Sequence, residues 1–199
     1  MDPELAQTLD GVLRLGREHD AALADRRARY RNLEPDSAAL LAVLVRALRP
    51  RRVLELGTSS GYSTIWLADA VRTIGGHLAS VDIDLLRTQL AEENLRLADV
   101  RDWVQLITED AADTLAHSVD GSWDLILLDA EREKYAGYWP ALVRVLAPAG
   151  LIAVDNALSH ADELTEFRAI VGADERFIEA VAPTGTGLLL IVRESPSEA

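Results

Sequence analysis

The chain of 199 residues contains no cysteine. Disulfides and thiolate metal centres are therefore excluded, and any metal must be held by oxygen or imidazole ligands. Basic residues are in the minority, with 20 Lys and Arg against 33 Asp and Glu and a net charge of −13. Nucleic-acid binding normally leaves a basic face, so this balance argues against DNA or RNA as the main partner. One local exception, the run Arg26 to Arg31, reads as a solvated helix face. No apolar run is long enough to span a bilayer, and the N-terminal stretch MDPELAQTL lacks the apolar centre of an export signal. The expectation is a cytoplasmic protein with no membrane partner. Aromatic residues make up only 5%. Trp66, Trp103, Trp123 and Trp139 all fall within strand or helix patterns and are expected to pack rather than bind.

What is present is aliphatic and ordered in sequence. Apolar residues make up 49% and charged residues 27%, as in globular proteins, and the length suits one domain with a substantial core. From Arg51 onward, short aliphatic runs alternate with helical patterns. VLELG (53–57), HLASVDID (77–84), WVQLI (103–107), WDLILLD (123–129) and LIAVD (151–155) read as strands. Segments 62–71, 84–98, 109–117 and 134–147 read as helices. Near-continuous apolar strands suit a parallel sheet covered on both faces, and the succession predicts a doubly wound α/β, Rossmann-like fold. After a helix over 160–171 come RFIEAVAP (176–183) and GLLLIVRE (187–194), separated by so short a turn that they must be antiparallel. Residues 1–48 read as a helical N-terminal cap broken at Glu34, Pro35 and Asp36, 49–194 as the core, and 195–199 as a disordered tail.

The most informative stretch is VLELGTSSGY, 53 to 62. A buried strand ends in an acid, Glu55, bends at Gly57, and passes through small residues into a helix. Glycine in such a bend lets backbone N–H groups approach a ligand closely. No Gly-Lys-Ser/Thr closes the turn, so it is not a P-loop, and Ser59 occupies the middle glycine of a dinucleotide fingerprint. A nicotinamide-dependent oxidoreductase is disfavoured for that reason. A nucleoside cofactor without a pyrophosphate remains compatible.

In a doubly wound sheet, ligands sit beyond the carboxyl ends of the strands. Four of the five parallel strands end in an acid there: Glu55, Asp82, Asp129 and Asp155, the last followed by Asn156. Asp82 lies where dinucleotide sites carry the acid that binds ribose hydroxyls. Asp129, Asp155 and Asn156 supply a hard, oxygen-only donor set suited to Mg²⁺, Mn²⁺ or Ca²⁺, although Asp155 and Asn156 serve equally well as helix caps.

The motifs LELGTSSGYST, VDID, LILLDAEREKY and LIAVDN resemble those of class I S-adenosylmethionine-dependent O-methyltransferases, most closely the metal-dependent catechol and caffeoyl-CoA group with its small bacterial relatives. The resemblance spans roughly residues 33 to 193. It implies that Glu55, Gly57 and Thr58 line the cofactor, that Ser63 bonds the methionine carboxylate, that Asp82 holds the ribose, and that Asp110 and Ala111 flank the adenine. It implies Asp129, Asp155 and Asn156 as metal ligands, with Asp129 also contacting the cofactor and lying near the acceptor hydroxyl, and matches Tyr135 to an aromatic after the fourth strand. It further implies a homodimer whose N-terminal helices help to build the acceptor site.

One position departs from the family pattern. The lysine expected three residues after Asp129, the family's general base, is Arg132 here, and a guanidinium keeps its proton at neutral pH. Arg132 could still orient a phenolate or stabilise its charge. Lys134 could substitute as the base or could simply be an exposed helix residue. His160 reads either as an acceptor contact or as the start of the next helix. The expected activity is methyl transfer to a small hydroxylated, catechol-like acceptor with divalent-metal assistance. The alternatives are metal-independent transfer to an anionic or nitrogen acceptor, and cofactor binding without turnover.

Overall fold

The computed structural model describes residues 2–194; the expected tail lies outside the described residues. Among the described residues there are seven α-helices and one seven-stranded sheet. Helices α1 (Pro3–Ala22) and α2 (Pro35–Leu48) precede β1 (Arg52–Leu56), α3 (Tyr62–Ile74), β2 (His77–Asp82), α4 (Leu85–Leu97), β3 (Val104–Thr108), α5 (Ala111–His117), β4 (Trp123–Leu128), α6 (Tyr135–Val145), β5 (Leu146–Val154), α7 (Thr165–Gly172), β6 (Phe177–Ala182) and β7 (Leu188–Arg193).

The strand order is β3-β2-β1-β4-β5-β7-β6. Strands β1 to β5 are parallel, and β7 runs antiparallel between β5 and β6. This is the expected doubly wound, Rossmann-like sheet with its antiparallel ending. The side-chain period of two divides each apolar run between the faces. Val53, Leu125 and Leu127 face one core with Leu9, Leu41 and Ile65 from the N-terminal helices and α3. Leu54, Leu56, Ile126 and Leu128 face the other core with Leu115, Leu142 and Phe167. The tryptophans pack as expected: Trp139 lies against Phe167 and Phe177, and the other three border the two cores.

Four boundaries differ from the expectation, one of them the start of α7, which lies at Thr165 rather than 160. Strand β5 starts at Leu146 rather than 151, because buried Leu146 already pairs with Trp123. Helix α5 starts at Ala111, since the Asp110 carboxylate caps it by accepting the Ala112 N–H at 2.8 Å. The N-terminal cap is not helical through residue 33. Helix α1 stops at Ala22, and residues 23–34 form an irregular segment holding one 3₁₀ turn, Arg26–Ala28.

The chain winds outward in opposite directions from β1 and β4, which are neighbours. A crevice opens at the carboxyl ends of two such strands, and there a ligand can bind.

Candidate functional site

The bend after β1 is shaped by close backbone approach. Gly57 has φ +112°, and a Cβ there would sit 2.0 Å from the Asp129 carbonyl oxygen at the end of β4. Only glycine lets the two strand ends meet. Ser59, also in the left-handed region at φ +50°, donates its N–H to Asp82 Oδ2 at 2.8 Å. The turn is thereby drawn across the end of β2.

A cavity opens above this turn. Of the residues assigned to the cofactor from sequence, Gly57, Asp82, Asp110, Ala111 and Asp129 line it. Glu55, Thr58 and Ser63 do not. Glu55 is fully buried behind the wall, where its carboxylate accepts from Ser63 at 2.5 Å and from Thr64 and Ser80 at 2.5 and 2.6 Å. Thr58 in turn bonds Ser80 at 2.6 Å. A carboxylate taken out of water must find donors, and these hydroxyls are the nearest. Burial still pushes the Glu55 carboxyl up to about 7, with the charge of Asp82 adding to the effect and the three hydroxyls opposing it.

A second cavity lies on the other side of Asp129. Asp129, Arg132, Asp155, Asn156 and His160 share its wall. Burial and then the facing Asp155 charge hold the Asp129 carboxyl well above the usual carboxylate range, against the pull of Arg31 and Arg132. Burial likewise raises Asp155. Thr186 donates to Asp155 Oδ1 at 3.1 Å, and the Asn156 amide contacts Asp155 Oδ2. Among the described residues, no donor serves the Asp129 carboxylate. The turn after β5 is not a helix start. Asn156 takes φ +66° and accepts the His160 N–H at 3.0 Å, and α7 begins only at Thr165. The capping role considered for Asp155 and Asn156 is therefore set aside.

The donor set suits a hard divalent cation in charge and chemistry. Two carboxylates that disfavour each other's ionisation share a wall with an amide, and reversing the amide in place would present its oxygen. Among the described residues, no cluster of three or more acids and histidines is placed to hold a metal. A cation here would rest on two carboxylates and that amide.

The candidate bases are corrected by the geometry. Lys134 lines the first cavity and pairs with Asp110 at 3.0 Å. The hydrogen bond to Asp110 raises its pKa, which keeps it protonated and unsuited to act as a base. Arg132 is buried in a 3₁₀ turn and donates Nε–H to Glu163 at 2.6 Å. His160 faces the second cavity, with burial and the Arg132 guanidinium holding its pKa below the usual value. It is neutral at pH 7.

The N-terminal region was expected to contribute to the acceptor site, but not through the arginine run of segment 23–34. Tyr30 and Arg31 line the first cavity, and Arg26, Arg29 and Arg31 line the second. The run read as a solvated helix face instead folds over the cleft. The Asp20 carboxylate accepts the N–H groups of Tyr30 and Arg31 at 2.7 and 2.8 Å, and Ser59 donates to the Tyr30 carbonyl at 2.6 Å. Tyr30 also stacks on His19 at 3.8 Å between ring centroids. The charge spacing of the run gives no hint of this; the one usable signal is Asp20, a short acid able to hold a turn.

Comparison with known proteins identifies the family of the chain. Residues 18–194 match the family described as O-methyltransferase. A catechol O-methyltransferase from Niastella koreensis is 30% identical over 177 residues, covering 83% of this chain and 80% of that protein. A second catechol O-methyltransferase, from Mycobacterium tuberculosis, is 35% identical over 128 residues, covering 63% of this chain and 57% of that protein. Among solved structures, the O-methyltransferase from Bacillus cereus in complex with SAH superposes with a TM-score of 0.78 at 23% identity, covering 94% of this chain and 91% of that one, a likeness of fold. The chain belongs to the O-methyltransferase family and is an S-adenosylmethionine-dependent methyltransferase.

Proposed function

We propose that the enzyme methylates a hydroxyl of a small catechol-type aromatic acceptor, with a divalent cation held by Asp129, Asp155 and Asn156. The observation that carries this reading is that Asp129 and Arg31 line both cavities. The cofactor is assigned to the first cavity and the acceptor to the second, so Asp129 stands where methyl donor and acceptor oxygen meet. Asp82 faces the ribose and Ala111 the adenine, while the Gly57 bend leaves room for the cofactor's methionine end. S-adenosylmethionine supplies the electrophilic methyl group, and a cation bound at the acids lowers the pKa of a hydroxyl it touches. The protein's own part is positioning and charge. Arg31 and Arg132 flank Asp129 and stabilise an oxyanion beside it, and His160 is the neutral base that the second cavity offers for the hydroxyl proton. The two catechol O-methyltransferases among the relatives support the acceptor class.

A metal-independent reading has one observation in its favour. Arg31 and Arg132 already place positive charge beside Asp129. Methyl transfer from S-adenosylmethionine to catechol, measured with Mg²⁺ and with EDTA for the wild type and Asp155→Ala, decides between the two. The expected outcome is loss of most activity in EDTA and in the variant. Activity unchanged in both would assign oxyanion stabilisation to the arginines alone.

A further inference from the structure

We infer that the acceptor carries a carboxylate in addition to its hydroxyls, and that Arg29 and Arg31 of the segment over the cleft bind it; the inference rests on the assignment of the second cavity to the acceptor. In a chain of net charge −13, four arginines, Arg26, Arg29, Arg31 and Arg132, line this one cavity. Three of them are answered by acids: Arg26 and Arg132 pair with Glu163, and Arg31 pairs with Glu131 at 3.2 Å. Arg29 has no acidic partner among the described residues. It donates Nε–H and one Nη to a single carbonyl, that of Leu23, at 3.0 and 2.7 Å, which fixes its direction and leaves its charge uncompensated. Arg31 adds a buried Nε with no hydrogen-bond partner in the described structure. An unspent donor of that kind is costly unless a ligand completes it.

The scaffold is built to hold these groups. Arg31 sits at φ +54°, a left-handed conformation uncommon for a side chain of its size, and the Asp20 carboxylate fixes it there through two N–H bonds. Arg87 reaches from α4 to the carbonyls of Arg27 and Arg29 and ties the segment to the core. Glu34, a further acid on this wall, is engaged by Arg17 at 3.1 Å. Acids, Asp129 and Asp155, and arginines thus share the wall of one cavity, which fits a molecule that brings both hydroxyls and an anion. A planar carboxylate matches the guanidinium fork.

The test compares 3,4-dihydroxybenzoate with its neutral isostere 3,4-dihydroxybenzamide, by calorimetry on protein loaded with S-adenosylhomocysteine and by kcat/KM for methylation. The acid is expected to bind about tenfold more tightly than the amide, as a charge-assisted pair gives. Arg29→Gln and Arg31→Gln should each shrink that ratio, and Arg29→Lys should restore part of it, which a variant that merely loosened the loop would not do. Equal affinity for acid and amide in the wild type overturns the inference, as does a ratio that survives both glutamine variants. Preferential binding of the acid without methylation of either compound would leave the anion site standing and remove the catechol assignment. Binding of neither compound would remove both.

Discussion

Glu55→Gln should change the pH dependence of folding in a defined direction. The Glu55 carboxyl keeps its proton up to about pH 7 in the folded protein and loses it near 4.5 when unfolded. Between those values the unfolded chain binds fewer protons than the folded one, so the stability contributed by this group falls as pH rises and levels off above about 7. The interval corresponds to about 3 kcal/mol at 1.36 kcal/mol per pH unit, a large share of a typical domain's stability. Glutamine matches the side chain in shape, and its amide can still bond Ser63, Thr64 and Ser80, whose hydroxyls both donate and accept. The measurement is urea unfolding of both proteins at intervals from pH 4.5 to 8. Asp129 and Asp155 are also raised, and part of the Asp129 rise comes from the Glu55 charge, so the wild-type minus variant difference to follow carries Glu55 together with its coupling to Asp129. That difference should decline by about 3 kcal/mol across the window. A flat difference would refute the reasoning and show that the hydroxyl cradle stabilises the ionised carboxylate as fully as water does.

Two further outcomes follow from the loop after β4 and from the second cavity. The buried Tyr135 hydroxyl accepts the Ala130 N–H at 2.8 Å and donates to the Ala130 carbonyl at 3.1 Å, one residue from Asp129. Tyr135→Phe leaves both backbone groups short of a partner and should cost about 1–3 kcal/mol in chemical unfolding, with a raised acceptor KM; a loss below about 0.5 kcal/mol would mean that the loop does not depend on this bond. If His160 takes the acceptor proton, kcat should fall as pH drops through its lowered pKa, because only the neutral ring can act. His160→Gln should lower kcat by about tenfold or more and abolish that acidic limb, and a variant that kept the limb would place the base elsewhere.

Much of the fold is legible in the sequence because aliphatic strands and turn residues are local signals. The runs at Val53, Leu78, Leu125 and Leu151 name the parallel strands, since each must bury both faces. The boundaries that moved are those set by tertiary partners. Leu146 joins β5 because Trp123 lies across from it, and no pattern within 146–150 announces a strand. The N-terminal cap read as helix through residue 33 for a related reason. Helical periodicity continues past Ala22, but Asp20, Asp25 and the Arg29 guanidinium offer the backbone other hydrogen bonds, and the segment takes those.

The site was legible where function falls at strand ends and illegible where it depends on what folds over them. Asp82, Asp129 and Asp155 could be placed because a parallel sheet gathers the ends of its strands on one edge. Glu55 obeys the same rule and yet points away from the cavity. Alternation along β1 decides which face a side chain takes, and the face holding Ser63, Thr64 and Ser80 claims it. Lys134 and Arg132 stand two residues apart in sequence, but a 3₁₀ turn sends one to Asp110 and the other to Glu163, so proximity along the chain says nothing about which could serve as a base. The arginine run is the strongest instance. By composition it belongs in solvent, and the Asp20 anchor, the bond from Ser59 to the Tyr30 carbonyl and the reach of Arg87 to the Arg27 and Arg29 carbonyls turn it over the cleft. Arginines and acids can therefore share the wall of one cavity in a strongly acidic chain without leaving a mark in its overall charge.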